Sequence, residues 1–333
     1  MIGSKSGDPA IDVVDLRKTY REGWIRPKQQ EALKGISLRV ERGEIFGLLG
    51  GNGAGKTTFI KILLGIIRRT SGQATLLGYP AGDKRGRQLV GYLPENLRVP
   101  RHMTGLVALE YYGNLSGLTT SEVRKRRGPL LEKVGLAVRA KDPVRTYSKG
   151  MLQRLGLAQA MLHDPDIYIL DEPTDGLDPS ARAQVRSFLA DLKQQGKTVF
   201  LNSHILQEVE LICDRVAILD RGNLKQVERV ENITSGRLTK NGSADARVEL
   251  IVTFDLQGPP ELIASVLAST AITSLQQFTP LEQRVVAKLG DQTEVDAIVD
   301  RLRSVGVSVV GLSRQRMSLE QHYLEIVAQA VTE

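Results

Sequence analysis

Nine residues set most of what this chain can fold into: Gly50-Gly51-Asn52-Gly53-Ala54-Gly55-Lys56-Thr57-Thr58. Their spacing fits the phosphate-loop pattern G-x-x-x-x-G-K-[ST]. An apolar run, Ile45-Phe46-Gly47-Leu48-Leu49, leads into the loop, and an amphipathic run, Phe59-Ile60-Lys61-Ile62-Leu63-Leu64, leaves it. Strand, glycine loop and helix are the context this pattern requires. The glycines let backbone N–H groups turn inward around a phosphate chain, and the helix adds its positive N-terminal end. Lys56 is then expected to reach the β- and γ-phosphates, and the Thr57 hydroxyl to ligate Mg²⁺. A chance glycine turn is the alternative, and the flanking strand and helix argue against it. The pattern says "nucleotide" and leaves the kind of machine open.

At 333 residues the chain has length for about two domains and a sizeable core. No run of 18 apolar residues occurs, so no membrane-spanning segment is expected. Residues 1–8 lack an apolar stretch of the secretory type. The single cysteine, Cys213, excludes an internal disulfide and a cysteine-rich metal site. A net charge of +7 would favour an anionic partner, but the basic residues are dispersed. The densest run, Arg124-Lys125-Arg126-Arg127, has no interleaved aromatics and reads as a solvated helix face rather than a nucleic-acid surface.

Residues 1–9 read as a loose tail. Residues 11–20 and 36–46 read as strands joined by a polar loop over 21–30. Tyr20 closes the first strand, either as a half-buried edge tyrosine or as a ring stacked on a base. Gly72 to Gly78 gives a strand and turn. Val90 to Pro94 gives a short buried strand, with Glu95 at its carboxyl end, the edge where open parallel sheets hold ligands. Residues 104–140 are mainly helical. Ser148 is placed to cap a helix running through Met161, as an anion site or an ordinary cap. Asp166 to Asp171 is an apolar strand ending in two acids, Asp171 and Glu172, stopped by Pro173. Adjacent carboxylates at a strand end repel each other unless a cation or a reaction uses them. One can orient Mg²⁺ and the other take a proton from an attacking water. The run Asp175 to Pro179 forms a tight acidic turn. A helix over 182–192, a strand over 198–203 with His204 at its end, and a strand over 215–220 follow. His204 is either a satisfied surface residue or a ligand contact.

The composition shifts at residues 234–243, which are polar and rich in breakers and read as a linker. Beyond it the pattern restarts. Val248, Leu250, Val252, Phe254 and Leu256 alternate as in a half-buried strand. A helix (259–269), two strands (272–278, 284–289), a helix bearing Val295, Ile298, Val299 and Leu302, a strand (307–312) and a helix (319–331) follow. The order β-α-β-β-α-β matches the split βαβ, ferredoxin-like arrangement.

Taken together, the loop GGNGAGKTT, the turn YSKGMLQR, the strand IYILDEP, the turn DGLDP and His204 occur in the order found in ABC-type ATPases, which the chain resembles over about residues 10–230. YSKGM resembles the family's signature motif, usually LSGGQ. The resemblance implies an α/β P-loop ABC-type ATPase fold with a mixed sheet and a helical subdomain at about 96–160. The divisions are a tail (1–9), an ATPase domain (10–233), a linker (234–243) and a small C-terminal α+β domain (244–333). It implies that Tyr20 stacks on adenine and that Asn52, Gly53, Ala54, Gly55, Lys56, Thr57 and Thr58 cradle the phosphates of ATP. Thr57, Asp171 and Glu95 would serve Mg²⁺, and Glu172 would be the general base. His204 would be the switch histidine on the γ-phosphate. Ser148 and Gly150 would contact the γ-phosphate held by the opposite subunit, and Asp178 would lie at the dimer interface. One chain then holds half of each site, so a head-to-tail, ATP-sandwiched homodimer is implied.

The chain departs from the family pattern in places. Gly51 stands where proline is common, Lys149 and Met151 replace Gly and Gln of the signature, and Glu95 replaces a glutamine. Leu93-Pro94-Glu95-Asn96 with YSKGM, and the ending SLEQHYLEIV, resemble bacterial exporters whose ATPase and permease are separate chains. The implied function is ATP hydrolysis powering such an exporter on the cytoplasmic side of the membrane. Arg98, Arg101, Tyr111 and Tyr112 are candidates for the permease-facing surface. The alternative is a soluble ABC-type ATPase acting on nucleic acid or ribosomes. Relatives of that kind usually carry a coiled coil, zinc-binding cysteines or two cassettes, none of which is read here, so no nucleic acid is expected as partner. A GTPase or small-molecule kinase would leave YSKGM unexplained. The transported substrate is not legible in this chain.

Overall fold

The computed structural model describes residues 8–22, 28–235, 250–268, 270–315 and 318–329. They fall into two compact units that divide between Val227 and Glu228. The expected tail lies outside the described residues up to position 7, as does most of the expected linker, from 236 to 243.

In the first unit β1 (Ile11–Glu22) and β2 (Lys28–Val40) form a long antiparallel pair. After β3 (Ile45–Gly50) and α1 (Lys56–Leu63), β4 (Ser71–Leu76) and β5 (Tyr79–Pro80) extend that pair into a sheet of order β2-β1-β4-β5. Next come α2 (Lys84–Arg87), β6 (Val90–Leu93), α3 (Gly105–Leu115), α4 (Thr120–Lys133) and α5 (Lys149–Met161). The unit continues with β7 (Ile167–Asp171), α6 (Pro179–Gln194), β8 (Thr198–Asn202), α7 (Leu206–Ile212), β9 (Arg215–Asp220) and β10 (Asn223–Arg229). A second sheet takes the order β10-β9-β3-β8-β7-β6, with parallel pairs β9–β3, β3–β8, β8–β7 and β7–β6.

The sequence patterns explain the central strands. β7 and β8 are buried at every position, and a parallel strand covered on both faces needs an apolar run rather than alternation. α1 brings Phe59, Ile60, Ile62 and Leu63 into a core shared with both sheets. The Phe200 ring lies 5.9 Å from Phe46 and 5.8 Å from Phe59, both stacked. Gly91 in β6 lets the backbone pass close to α5: a Cβ there would lie 2.3 Å from the Ala160 carbonyl oxygen.

Several expectations need correction. The strand expected over 36–46 is two strands, because Glu41 to Glu44 turn the chain with Gly43 at φ 78°. The polar loop expected over 21–30 narrows: Arg21 and Glu22 pair with Gln29 and Lys28 as the ends of β1 and β2, so Tyr20 does not close its strand. Residues 23–27 lie outside the described residues. Thr234 ends the short helix α8 (Val230–Thr234) rather than opening a linker. The basic run on α4 is partly used within the protein. Arg124 and Arg127 both reach Glu110, at 3.3 and 2.5 Å, and Arg126 donates to the Leu162 carbonyl at 3.0 Å.

The second unit contains α8, β11 (Leu250–Gln257), α9 (Pro260–Leu267), β12 (Ala271–Gln277), β13 (Glu282–Leu289), α10 (Gln292–Ser304), β14 (Ser308–Gln315) and α11 (Leu319–Gln329). Its sheet has the order β12-β13-β11-β14, antiparallel throughout, as the split βαβ pattern predicts. Val248, expected in the first of these strands, is outside the described residues. Val252, Phe254 and Leu256 of β11 pack with Val285, Ala287 and Leu289 of β13 and with Ile263, Val295, Ile298 and Leu302 of the helices. This unit therefore has a core of its own.

Candidate functional site

Parallel order places four strand ends side by side. β3 ends in the glycine loop, β8 leads to His204, β7 ends at Asp171, and β6 leads through Pro94 to Glu95. This is the carboxyl edge at which open α/β sheets hold ligands.

The loop is shaped by its glycines. Gly55 caps α1 at φ 108°, and a Cβ there would lie 2.7 Å from the Ala32 carbonyl oxygen. Asn52 and Gly53 are exposed, Ala54 is buried, and the Thr57 side chain faces solvent. Lys56 curls over its own loop: Nζ donates to the Gly50 carbonyl at 2.5 Å and to the Gly51 carbonyl at 3.2 Å. Burial holds its ammonium below the ordinary lysine range, opposed by the negative charges of Glu172, Asp171 and Glu95. The lysine and the three acids therefore share one electrostatic site.

Asp171 is only 2 % exposed. Asn202, its register partner on β8, donates through Nδ2 to Asp171 Oδ1. Among the described residues, Asp171 Oδ2 accepts no hydrogen bond. Burial pushes the Asp171 carboxyl up, the Asn202 bond pulls it back, and the charge of Glu95 adds to the rise. Among the described residues, Asn202 Oδ1 is buried without a partner. Tyr92 is pushed up to about 12 by burial and by the nearby charges of Asp171 and Glu95.

Glu172 follows with φ 54°, a left-handed backbone in a non-glycine residue. Its N–H donates to the Asn202 carbonyl at 2.8 Å. Its side chain is turned to His204, whose Nδ1 donates to Oε2 at 2.7 Å and whose backbone N–H lies 3.3 Å from the same oxygen. Burial raises the Glu172 carboxyl, while the His204 bonds and the Lys56 charge oppose the rise. The result is a buried, comparatively basic carboxylate facing a half-open histidine.

Tyr20 is half-buried, with its hydroxyl 3.4 Å from Thr58 Oγ1 and the Lys18 ammonium 4.9 Å from the ring centroid. A recess beside it is lined by Lys18, Thr19, Tyr20, Arg21, Gln29 and Thr70. Ser148 caps α5 by accepting the Met151 N–H at 3.2 Å, and Asp178 caps α6 by accepting the Ala181 N–H at 2.9 Å. Within the chain, no hydrogen bond joins Ser148, Gly150 or Asp178 to the phosphate loop among the described residues. Lys149 does not crowd this turn: Nζ pairs with Asp175 at 2.5 Å, and its stem lies along Gly176. On α3, the Tyr112 hydroxyl donates to the Arg98 carbonyl at 2.7 Å, and the Tyr111 and Tyr112 rings meet edge-on at 5.2 Å. Arg98, Arg101 and Tyr111 are exposed there.

The oxygens left over suit a hard cation. Asp171 Oδ2, the Thr57 hydroxyl and the Glu95 carboxylate are oxygens of the kind that could hold Mg²⁺. No cluster of three or more His, Cys, Asp or Glu that could hold a metal by itself occurs among the described residues.

Sequence reasoning did not single out Asn202 or Gln153. Gln153 donates through Nε2 to the Glu172 carbonyl at 2.8 Å and is buried. Asn202 acquires its place only from the β7–β8 pairing. Gln153 lies on a helix buried on most sides, so no amphipathic phase marks it.

Residues 33–175 match the family described as "ABC transporter". An uncharacterized ABC transporter ATP-binding protein of Synechocystis is 41% identical over 316 residues, covering 94% of this chain and 83% of that protein. The chain belongs to the ABC transporter ATP-binding family. The linearmycin resistance ATP-binding protein LnrL of Bacillus subtilis is 32% identical, over 96% of this chain and 99% of its own. A solved ATP-binding subunit of an ABC transporter is 32% identical and superposes with a TM-score of 0.60, covering 67% of this chain and 91% of its own. The ABC cassette fold thus accounts for the first unit, and relatives such as LnrL match the chain across both units. Among the described residues no helix is long and apolar enough to cross a membrane.

Proposed function

We propose that this ABC protein binds ATP with Mg²⁺, hydrolyses it, and powers an exporter whose permease is a separate membrane chain. The observation that carries the reading is the buried Glu172 carboxylate held on His204 in the same electrostatic site as Lys56 and Asp171. The loop N–H groups of residues 52–58 receive the phosphates. Lys56 leaves its own loop carbonyls for the β- and γ-oxygens, and Tyr20 stacks on the adenine. Thr57, Asp171 and Glu95 hold the cation; bound Mg²⁺ offsets the charge of the phosphates. Glu172 takes a proton from a water. The water oxygen bonds to the γ-phosphorus as the bond from that phosphorus to the β,γ-bridging oxygen breaks, giving ADP and phosphate. His204 holds Glu172 in place and donates toward the γ-phosphate.

Ser148 and Asp178 cap helices in their own chain, and Ser148, Gly150 and Asp178 are assigned to a partner's nucleotide by the family resemblance. A solved cassette of the same fold was captured as a dimer after hydrolysis with ADP and phosphate. ATP binding then favours a closed homodimer and hydrolysis releases it, a population shift driven by contacts to the γ-phosphate. Export is favoured by relatives named for linearmycin resistance, doxorubicin resistance and Nod factor export. Arg98, Arg101, Tyr111 and Tyr112 form the surface for the permease, which holds the chain on the cytoplasmic side of the membrane. The second unit is a separable accessory domain.

The test is Glu172→Gln beside the parent. Turnover should fall by about a hundredfold or more, while ATP and Mg²⁺ convert the variant to a stable dimer in sizing chromatography. A variant that stays monomeric and still hydrolyses ATP would refute both the base and the composite site.

A further inference from the structure

Gln153 lies early in α5 at 4 % exposure, among the buried Leu155, Gly156, Leu157 and Ala158. An amide hidden in such surroundings is sustained by the bonds it makes. Its Nε2 donates to the carbonyl oxygen of Glu172. Glu172 holds a left-handed backbone, which a non-glycine residue keeps only where its surroundings over-determine it. Three groups do so here. The Asn202 carbonyl takes its N–H at 2.8 Å, and its own carbonyl accepts from Gln153 at 2.8 Å and from the Asp175 N–H at 3.2 Å. Asp175 is itself tied to α5 through Lys149.

We propose that Gln153 is a positioning residue: it fixes the Glu172 backbone so that the carboxylate stays on His204, and it ties that carboxylate to α5. The inference rests on the ATPase reading above. It gives that reading a further property. α5 begins at Ser148 and Gly150, assigned above to the partner's nucleotide, whereas Glu172 serves the chain's own nucleotide. Gln153 is then the link through which a displacement of α5 at one composite site reaches the base of the other.

Steady-state and single-turnover ATPase rates of the full chain, with ATP affinity and Tm, test this in Gln153→Met, Gln153→Glu, Glu172→Gln and the Gln153→Met/Glu172→Gln pair. Methionine keeps the volume and removes the donor; glutamate sets a carboxylate against the carbonyl. Both single changes should lower kcat between about tenfold and a hundredfold, with KM for ATP within about twofold of the parent. In the Glu172→Gln background, Gln153→Met should cause no further loss, and the ATP-stabilised dimer should still form. Parent-like kcat in Gln153→Met overturns the inference. So do equal losses in both backgrounds, or variants that no longer fold or bind ATP, since Gln153 would then serve the fold in general. Parent-like turnover in Glu172→Gln alone overturns the assignment of Glu172 as the base, and this inference with it. The single variant distinguishes that outcome from a failure of Gln153 only.

Discussion

Glu172 shows how burial and chemistry meet at one residue. Its folded carboxyl lies above its unfolded value because burial outweighs the His204 bonds. Ionised, it therefore destabilises the nucleotide-free fold, fully so above the raised folded value. The penalty fades as pH falls toward the unfolded value of about 4.3. Thermal unfolding without nucleotide should show a higher Tm for Glu172→Gln than for the parent at pH 7.5. The difference should shrink to nothing near pH 4. Gly55→Ala makes a contrasting case: φ 108° and the Ala32 oxygen at 2.7 Å from an added Cβ leave no room for relaxation. It should lose at least about 1 kcal/mol of stability by denaturant titration, together with ATP binding. Lys56, Asp171 and Glu172 were singled out from residue type and place in the chain, and His204 through the family resemblance; in the structure Lys56 lies near both acids, and His204 meets Glu172. Gln153 was not singled out, because a lone amide on a buried helix has no spacing that announces its partner, and that partner is a backbone oxygen.

At the scale of elements, continuous apolar runs and clean alternation were the readable signals. β6, β7, β8 and β9 and the strands of the second unit fall where those patterns put them, and α5 begins at the Ser148 cap. Errors arose where polar residues sit in strands. Lys28, Gln29 and Gln30 look like loop, yet they extend β2 because their neighbours on β1 supply the pairing. The short helices α7 and α8 carry too few residues for periodicity to show, and β10 has neither an apolar run nor clean alternation. At one junction between elements Phe200 of β8 stacks against Phe46 and Phe59. Phe200→Ala should lower stability by about 3–5 kcal/mol in denaturant unfolding, loosening the strand that carries Asn202 and leads to His204.

For the whole molecule, two cores imply two folding units. A chain ending at Ser235 should keep ATP affinity within about threefold of the full protein and unfold cooperatively. Loss of binding would show that the first unit depends on the second. The family was legible because its motifs are local runs in a fixed order. Which strands neighbour one another was not, since pairing in a parallel sheet is set by residues far apart in the chain.

That distance has a consequence for synthesis. β3, which carries the phosphate loop, sits between β8 and β9. Its partner on β8 leaves the ribosome roughly 150 residues later, a delay of roughly 8 to 30 s at ordinary elongation rates. Throughout that interval Ile45 to Leu49 is an apolar ribbon with both edges unpaired. The nascent chain is thus most exposed to aggregation and proteolysis in mid-translation, and the nucleotide cradle closes only when the last strands of its sheet arrive.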